Sequence, residues 1–366
     1  MKVNSLYIHF PFCRHLCNYC DFYKNIPEGI SDINRYQESL TKSFAINKEF
    51  LAQNGFSLGP LETVYIGGGT PSLWGVKGAS YFKALGLKLD KDCEFTLEVN
   101  PGTWTKDILH EWKSAGVNRF SLGIQTLNQD LLTYLDRVHS IKDTIETLSH
   151  FKNQGINFSV DFMLGIPQSE KYNRDVIGEL KEVLRYRPDH ISLYILTIKD
   201  NYKYYDLIPD EEWVEREYLQ VAKYLRNEGY LHYEVSNYSL PGKESKHNLK
   251  YWKAESVAAL GPSATGFLSQ GDKGLRYKWK NKTNELTVEE ITPDKFKLEK
   301  FYTALRTHEG LNPEEYFSEN EWKKLEEKWE NSGYINSLKP RMTLTPKGYL
   351  MMDSLMEDVF LITNAL

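Results

Sequence analysis

Cysteine is scarce in this 366-residue chain: there are four, of which Cys13, Cys17 and Cys20 crowd together and Cys93 stands alone. So few thiols, three of them clustered, exclude the disulfide framework that staples small secreted domains. Long apolar runs are missing as well. No stretch approaches the ~18 consecutive apolar residues of a membrane-spanning helix. Met1-Lys2-Val3-Asn4 leads straight into Leu6-Tyr7-Ile8, without the apolar stretch and small-residue cleavage site of a secretory signal. A cytoplasmic location is expected. An excess of one charge sign is also absent: 45 basic against 50 acidic side chains give a net charge of −5, with no long Lys/Arg run. No nucleic-acid partner is expected from that balance, while local patches leave a peripheral membrane contact open. Internal repeats and low-complexity tracts are lacking too. What remains is a globular composition, 41% hydrophobic and 26% charged. Its length suits two domains, or one large domain with an appendage.

To about residue 240, β-branched and aromatic runs alternate with helical patterns. Strands are predicted at Ser5–Phe10, Thr63–Ile66, Glu94–Val99, Arg119–Ile124, Asn157–Met163 and His190–Leu196, each short and largely buried. Helical spacing lies between them, for example over Ile33–Phe50, Thr105–Ala115, Ile141–Asn153, Asn173–Tyr186 and Glu211–Glu228. Serial β-then-α units imply right-handed crossovers and a parallel sheet. Six units are too few for a closed eight-unit barrel, so residues 1–240 read as a partial (β/α)6 barrel. Residues 241–285 read as a polar, glycine-containing connecting segment. Residues 286–366 read as a helical domain: helices over Pro293–Arg306, Pro313–Phe317 and Glu321–Ser332, then Tyr334-Ile335, a Lys339-Pro340 turn, Met342–Leu344 and a helix from Pro346. Helices followed by a two-stranded wing resemble a winged helix. The mixed Glu and Lys of its charged face favour a packing or lid module over a DNA reader.

The sharpest chemical signal is Cys13-x3-Cys17-x2-Cys20, directly after the first strand, which Pro11 ends. Three thiolates in one loop can hold three irons of a cubane cluster, where ordinary clusters use four cysteines. The iron left open can chelate a small ligand and pass it an electron, as reductive cleavage of S-adenosylmethionine requires. Structural zinc with His9 or His15 as fourth ligand is the alternative reading, and Cys93 reads as a small buried residue. Next comes Gly67-Gly68-Gly69-Thr70-Pro71 at the carboxyl end of the second strand, where α/β folds place ligands and glycine lets backbone approach them. Polar residues collect along the same edge: Glu98 and Asn100, Gln125, Arg137 with His139, and Asp161. Taken singly, each is as readily a cap or an ion-pair partner as a ligand contact.

In order, Tyr7 to Cys20, Gly67 to Ser72, Glu98 to Pro101, Ser121 to Gln125, Asp136 to His139 and Asp161 to Pro167 resemble the radical S-adenosylmethionine family of oxygen-independent coproporphyrinogen III oxidases and their relatives. The resemblance covers most of the chain. It implies a [4Fe-4S] cluster on Cys13, Cys17 and Cys20. It also implies S-adenosylmethionine held by Tyr7, Tyr19, Gly68, Gly69, Thr70, Glu98, Gln125, Arg137 and Asp161. The porphyrinogen enzymes of the family add a cysteine two residues after the third, where this chain has Phe22, and an N-terminal extension, where it has twelve residues before Cys13. Both departures resemble the heme chaperone branch, whose His-Asn-x-x-Tyr-Trp motif stands here as His247-Asn248-Leu249-Lys250-Tyr251-Trp252. For that branch the resemblance implies heme as cargo with His247 in contact, a recipient apo-hemoprotein such as a respiratory enzyme, and no catalytic residue. Neutral imidazole suits heme iron; a loop histidine beside a packed Tyr-Trp pair is the plainer reading. Oxidative decarboxylation of coproporphyrinogen III, a porphyrin-biosynthesis reaction, is the alternative function.

Overall fold

The computed structural model describes residues 1–198, 202–338 and 340–363. Its first half alternates strands and helices: β1 (Lys2–Phe10), α1 (Ile30–Gln53), β2 (Ser57–Gly68), α2 (Gly75–Ala84), β3 (Leu89–Val99), α3 (Lys106–Ser114) and β4 (Arg119–Gln125). The series continues through α4 (Gln129–Tyr134), α5 (Ile141–Asn153), β5 (Phe158–Leu164), α6 (Val176–Leu184), β6 (His190–Ile195) and α7 (Glu211–Asn227). Strands β1 to β6 pair in sequence order, all parallel. The expected partial barrel of six units is present.

Three further strands extend it. β7 (Leu231–Glu234) and β8 (Asn237–Ser239) join antiparallel beyond β6. After α8 (Lys246–Trp252), β9 (Ala258–Leu260) pairs parallel with β1 at the other edge. Next come β10 (Thr265–Gln270), β11 (Lys273–Trp279) and β12 (Leu286–Ile291), an antiparallel sheet of their own. Residues 241–285 are therefore not a mere connection, because they supply a helix, a strand of the main sheet and most of a second sheet. Short strands of three or four residues carry too little alternation to register as sequence pattern.

Side-chain alternation explains the architecture. Leu6, Ile8, Val64, Ile66, Phe95, Leu97, Phe120, Leu122, Val160 and Phe162 form one core with Leu40, Phe44, Trp112, Leu148 and Leu180 of the helices. The intervening residues face the concave side and bond across strands: Tyr65 to Glu98, Ser159 to Ser121, Ser121 to Asp161. The strands are buried on both faces, as expected, but their inner face is polar. In this barrel the apolar core lies outside the sheet and the lumen is lined for hydrogen bonding.

The C-terminal part comprises α9 (Pro293–Leu305), α10 (Glu319–Asn331), the hairpin β13 (Ile335–Leu338) and β14 (Arg341–Leu344), α11 (Pro346–Leu350) and α12 (Met352–Thr363). Leu305, Leu325, Trp329, Met342 and Leu355 give it a separate core. The winged-helix-like pattern is present; Lys339 of the expected turn lies outside the described residues. It is tied to β7 by a backbone bond from His308 N–H to the Tyr233 carbonyl (2.9 Å), and to Val235, just after that strand, by the bond from Val235 N–H to the Arg306 carbonyl (2.8 Å).

Candidate metal and cofactor site

The loop after β1 carries Cys13, Cys17 and Cys20 over the carboxyl ends of the strands. Backbone bonds hold its base: Cys13 N–H donates to the Asn25 carbonyl (2.9 Å), and Asn25 N–H to that of Pro11 (2.7 Å). The Lys24 ammonium donates to the Cys20 carbonyl. Beside this loop lies the glycine turn, whose Gly69 and Thr70 N–H groups donate to the carbonyls of Phe10 and Phe12 (2.7 and 2.8 Å). A Cβ on Gly69 would stand 2.6 Å from the Phe12 carbonyl oxygen, and Gly68 adopts φ +113° with its missing Cβ 2.5 Å from the His9 ring. Only glycine satisfies both demands.

One cavity of about 70 Å³ is lined by all three cysteines together with Tyr19, Gly68, Gly69, Thr70 and Arg137. Eight of the sequence-predicted residues are thus brought together. Arg137 is the hub: it donates to the Asn100 side chain and the Gly123 carbonyl, both at 2.7 Å, and its Nη1 lies 4.0 Å from Cys17 Sγ. Asn100 passes the link on to Thr70 (3.0 Å). Burial raises the Cys13 and Cys17 thiols above their ordinary range, opposed at Cys13 by the Thr70 hydroxyl and at Cys17 by Arg137. Burial likewise raises the Tyr19 phenol.

Beneath the cavity stand the other predicted residues. The Tyr7 hydroxyl is 3.1 Å from His9 Nδ1. Glu98 accepts from the Tyr65 hydroxyl (2.8 Å) and the Gly68 N–H (3.0 Å). Burial, and then the charge of Asp161, push its carboxyl up to about 7. Asp161 accepts from Ser121 at 3.0 Å; burial raises it too. Gln125 occupies a left-handed backbone conformation (φ +66°) where β4 shifts register against β5. Its Oε1 is buried without a partner. The turn that follows is braced by Glu179, which accepts from the Thr126 hydroxyl and the Leu127 N–H (2.6 Å each) and pairs with buried Arg174 at 2.8 Å.

His247 is the exception. It lies at the opposite end of the lumen on α8, 2% exposed, with Nδ1 2.8 Å from the Thr63 hydroxyl. It is a helical residue whose ring turns into the barrel. Sequence reading passed over Tyr65 and the bracing role of Glu179. Tyr65 could have been found from the alternation Thr63, Tyr65, Gly67, which aligns it with the glycine turn; Glu179 gives no such signal.

The residues fit a cubane better than zinc. Among the described residues, no three His, Cys, Asp or Glu side chains converge on one ion-sized point, as tetrahedral zinc with ~2.3 Å bonds would need. A cubane spreads its thiolates over separate irons. Of the two candidate fourth ligands, His9 has both ring nitrogens engaged, Nε2 2.8 Å from the Tyr23 carbonyl and Nδ1 3.1 Å from the Tyr7 hydroxyl, and His15 pairs through Nε2 with Asp136 at 2.9 Å. The glycine cradle, the orphaned Gln125 oxygen and the Arg137 charge beside a thiol add room and polarity for an organic cofactor.

Fold and site together define a class, and comparison with known proteins agrees. The Radical SAM superfamily model matches residues 7–179, and the solved coproporphyrinogen III oxidase (HemN) of Escherichia coli superposes with a TM-score of 0.76 over 97% of this chain and 89% of its own, at 19% identity. That likeness concerns the fold. The heme chaperone HemW of Lactococcus lactis is 31% identical, with 98% of each chain covered. The HemW of Bacillus subtilis is also 31% identical, over 86% of each, and that of Buchnera aphidicola from Schizaphis graminum is 29% identical, over 96% of this chain and 97% of its own. The chain belongs to the radical SAM superfamily and, within it, to the family of these HemW proteins.

Proposed function

We propose that this protein binds heme and delivers it to apo-hemoproteins, and that Cys13, Cys17 and Cys20 hold a [4Fe-4S] cluster with S-adenosylmethionine against its open iron. The observation that carries the cofactor part is the single cavity shared by the three cysteines, the glycine turn and Arg137. The heme part rests on similarity along nearly the whole chain to proteins named heme chaperones. A cluster of this kind supplies single electrons. The chain's own residues do the holding: Tyr7, Tyr19, the Gly68-Gly69-Thr70 edge, Glu98, Gln125, Arg137 and Asp161 line the cofactor's place. Glu98 and Asp161 suit an amino group, while Arg137 keeps positive charge beside the Cys17 thiolate. Phe22 stands where the porphyrinogen enzymes carry their additional cysteine, 65% exposed and bearing no ligand atom. Heme ligation by His247, the contact the motif suggests, requires α8 to leave the lumen.

The test is transfer. Anaerobically reconstituted, heme-loaded protein mixed with an apo-hemoprotein should restore that acceptor's spectrum, and Cys17→Ala should lose the cluster absorbance. Conversion of coproporphyrinogen III to protoporphyrinogen with consumption of S-adenosylmethionine would overturn the chaperone reading in favour of the enzyme.

A further inference from the structure

Helix α8 closes the lumen at the end remote from the cysteines. The Ser245 hydroxyl caps its start by accepting from Asn248 N–H (3.3 Å). The Lys246 and His247 N–H groups both donate to the Glu94 carboxylate at 3.0 Å. A residue so fixed has little freedom, and its side chain points inward. The His247 ring is clamped between two tyrosines: Tyr65 stacked at 5.3 Å and 30°, and Tyr251, one helical turn along, edge-on at 5.4 Å and 77°.

Thr63 and Tyr65 lie two residues apart on the inner face of β2, about 7 Å along the strand. His247 touches both, bonding the first and stacking on the second. Tyr65 in turn directs its hydroxyl at Glu98 Oε1, 2.8 Å away, while the glycine turn's Gly68 N–H holds the other oxygen. A continuous file therefore runs Thr63–His247–Tyr65–Glu98–Gly68, from the helix at the bottom of the barrel to the glycine turn at its mouth.

We infer that His247 is a positioning residue for the cofactor site: by fixing the Tyr65 ring it sets the orientation of the Glu98 carboxylate. The inference rests on the reading that Glu98 contacts S-adenosylmethionine. It gives the motif histidine a role that its buried position can perform. A ring seated in apolar and aromatic contact orients its neighbour through packing, and the hydroxyl it aims makes a charge-assisted bond. Burial, and next the charge of Arg119, keep His247 uncharged, lowering it to about 3, so the stack is neutral throughout the working range.

The experiment is an anaerobic equilibrium titration with S-adenosylmethionine, read by the change in the reduced cluster's electron paramagnetic resonance signal. Wild type, His247→Ala, Tyr65→Phe and the double variant are compared, with iron content and melting temperature recorded for each. Both single variants should retain the cluster and bind S-adenosylmethionine about tenfold more weakly. The double variant should be no weaker than the poorer single one, the signature of two residues acting in series. An unchanged dissociation constant in His247→Ala with full cluster, or additive losses in the double variant, overturns the inference. Should His247→Ala fail to fold, His247→Gln replaces it: the amide keeps a polar partner for Thr63 and gives up the ring stack, and it must still weaken binding about tenfold. Glu98→Gln separates the two claims. If it binds S-adenosylmethionine like wild type, the assignment of Glu98 fails, whatever His247 does.

Discussion

Glu98 shows how a single residue in this site sacrifices stability for position. Its carboxyl is raised to about 7 by burial and by Asp161, so ionising it in the folded protein is costly. The ordinary carboxyl value of 4.5 applies to the unfolded chain, so the native state holds the proton more tightly between about 4.5 and 7. The penalty is absent below that window and fully present above it. Glu98→Gln should therefore stabilise the cofactor-free protein at pH 8 by about 3 kcal/mol and leave it nearly unchanged at pH 4.5, while weakening S-adenosylmethionine binding. Urea unfolding at the two pH values checks this; equal effects at both would contradict it. At this scale the sequence was most legible where chemistry is local. The cysteine spacing announces itself within eight residues, whereas Tyr65 and Glu179 act through neighbours that only strand register and loop packing bring near.

Among the elements, the glycine turn and α8 mark the two ends of the lumen. Gly69→Ala would drive a methyl group to within 2.6 Å of the Phe12 carbonyl, at the base of the cysteine loop. Backbone cannot yield as a side chain can, so the loop must shift, at about 1–3 kcal/mol. The expected result is a folded protein with markedly less iron and sulfide after reconstitution; full cluster content in the variant would show the turn to be tolerant. The six long strands were readable because apolar runs of this length are rare in loops, and the polar alternation within them places the lumen. By contrast, β7, β8 and β9 are three or four residues long. In the antiparallel sheet of β10 to β12 only the last strand is mostly exposed, with Val288 half exposed at its surface, and the polar, glycine-containing sequence around the other two reads as a connection. The helix carrying His247 is recognisable as a motif, but nothing in its sequence states that the motif faces inward.

For the whole molecule, the inverted core makes pH a sensitive probe. Five histidines are held neutral by burial, His139 and His247 at about 3, His232 at about 4, His190 well below its ordinary value and His9 below it. Their contribution is lost as pH falls below 6.5. The carboxyls of Glu98 and Glu234, raised by burial to about 7, act in the opposite sense, and burial raises Asp161 and Glu217 in the same direction. Between about pH 5 and 6.5 the two sets oppose each other, and below about 4 the histidines act unopposed. Melting temperature should change little over the upper window and drop steeply below it; a continuous decline beginning at pH 6.5 would refute this balance. Among the described residues no helix is long and apolar enough to cross a membrane. The most direct test of the account is an anaerobic titration of the cluster-reconstituted protein with hemin, followed by absorbance. The account predicts a saturable spectral change at about one heme per chain. A change that grows linearly without saturation, or none at all, would contradict it.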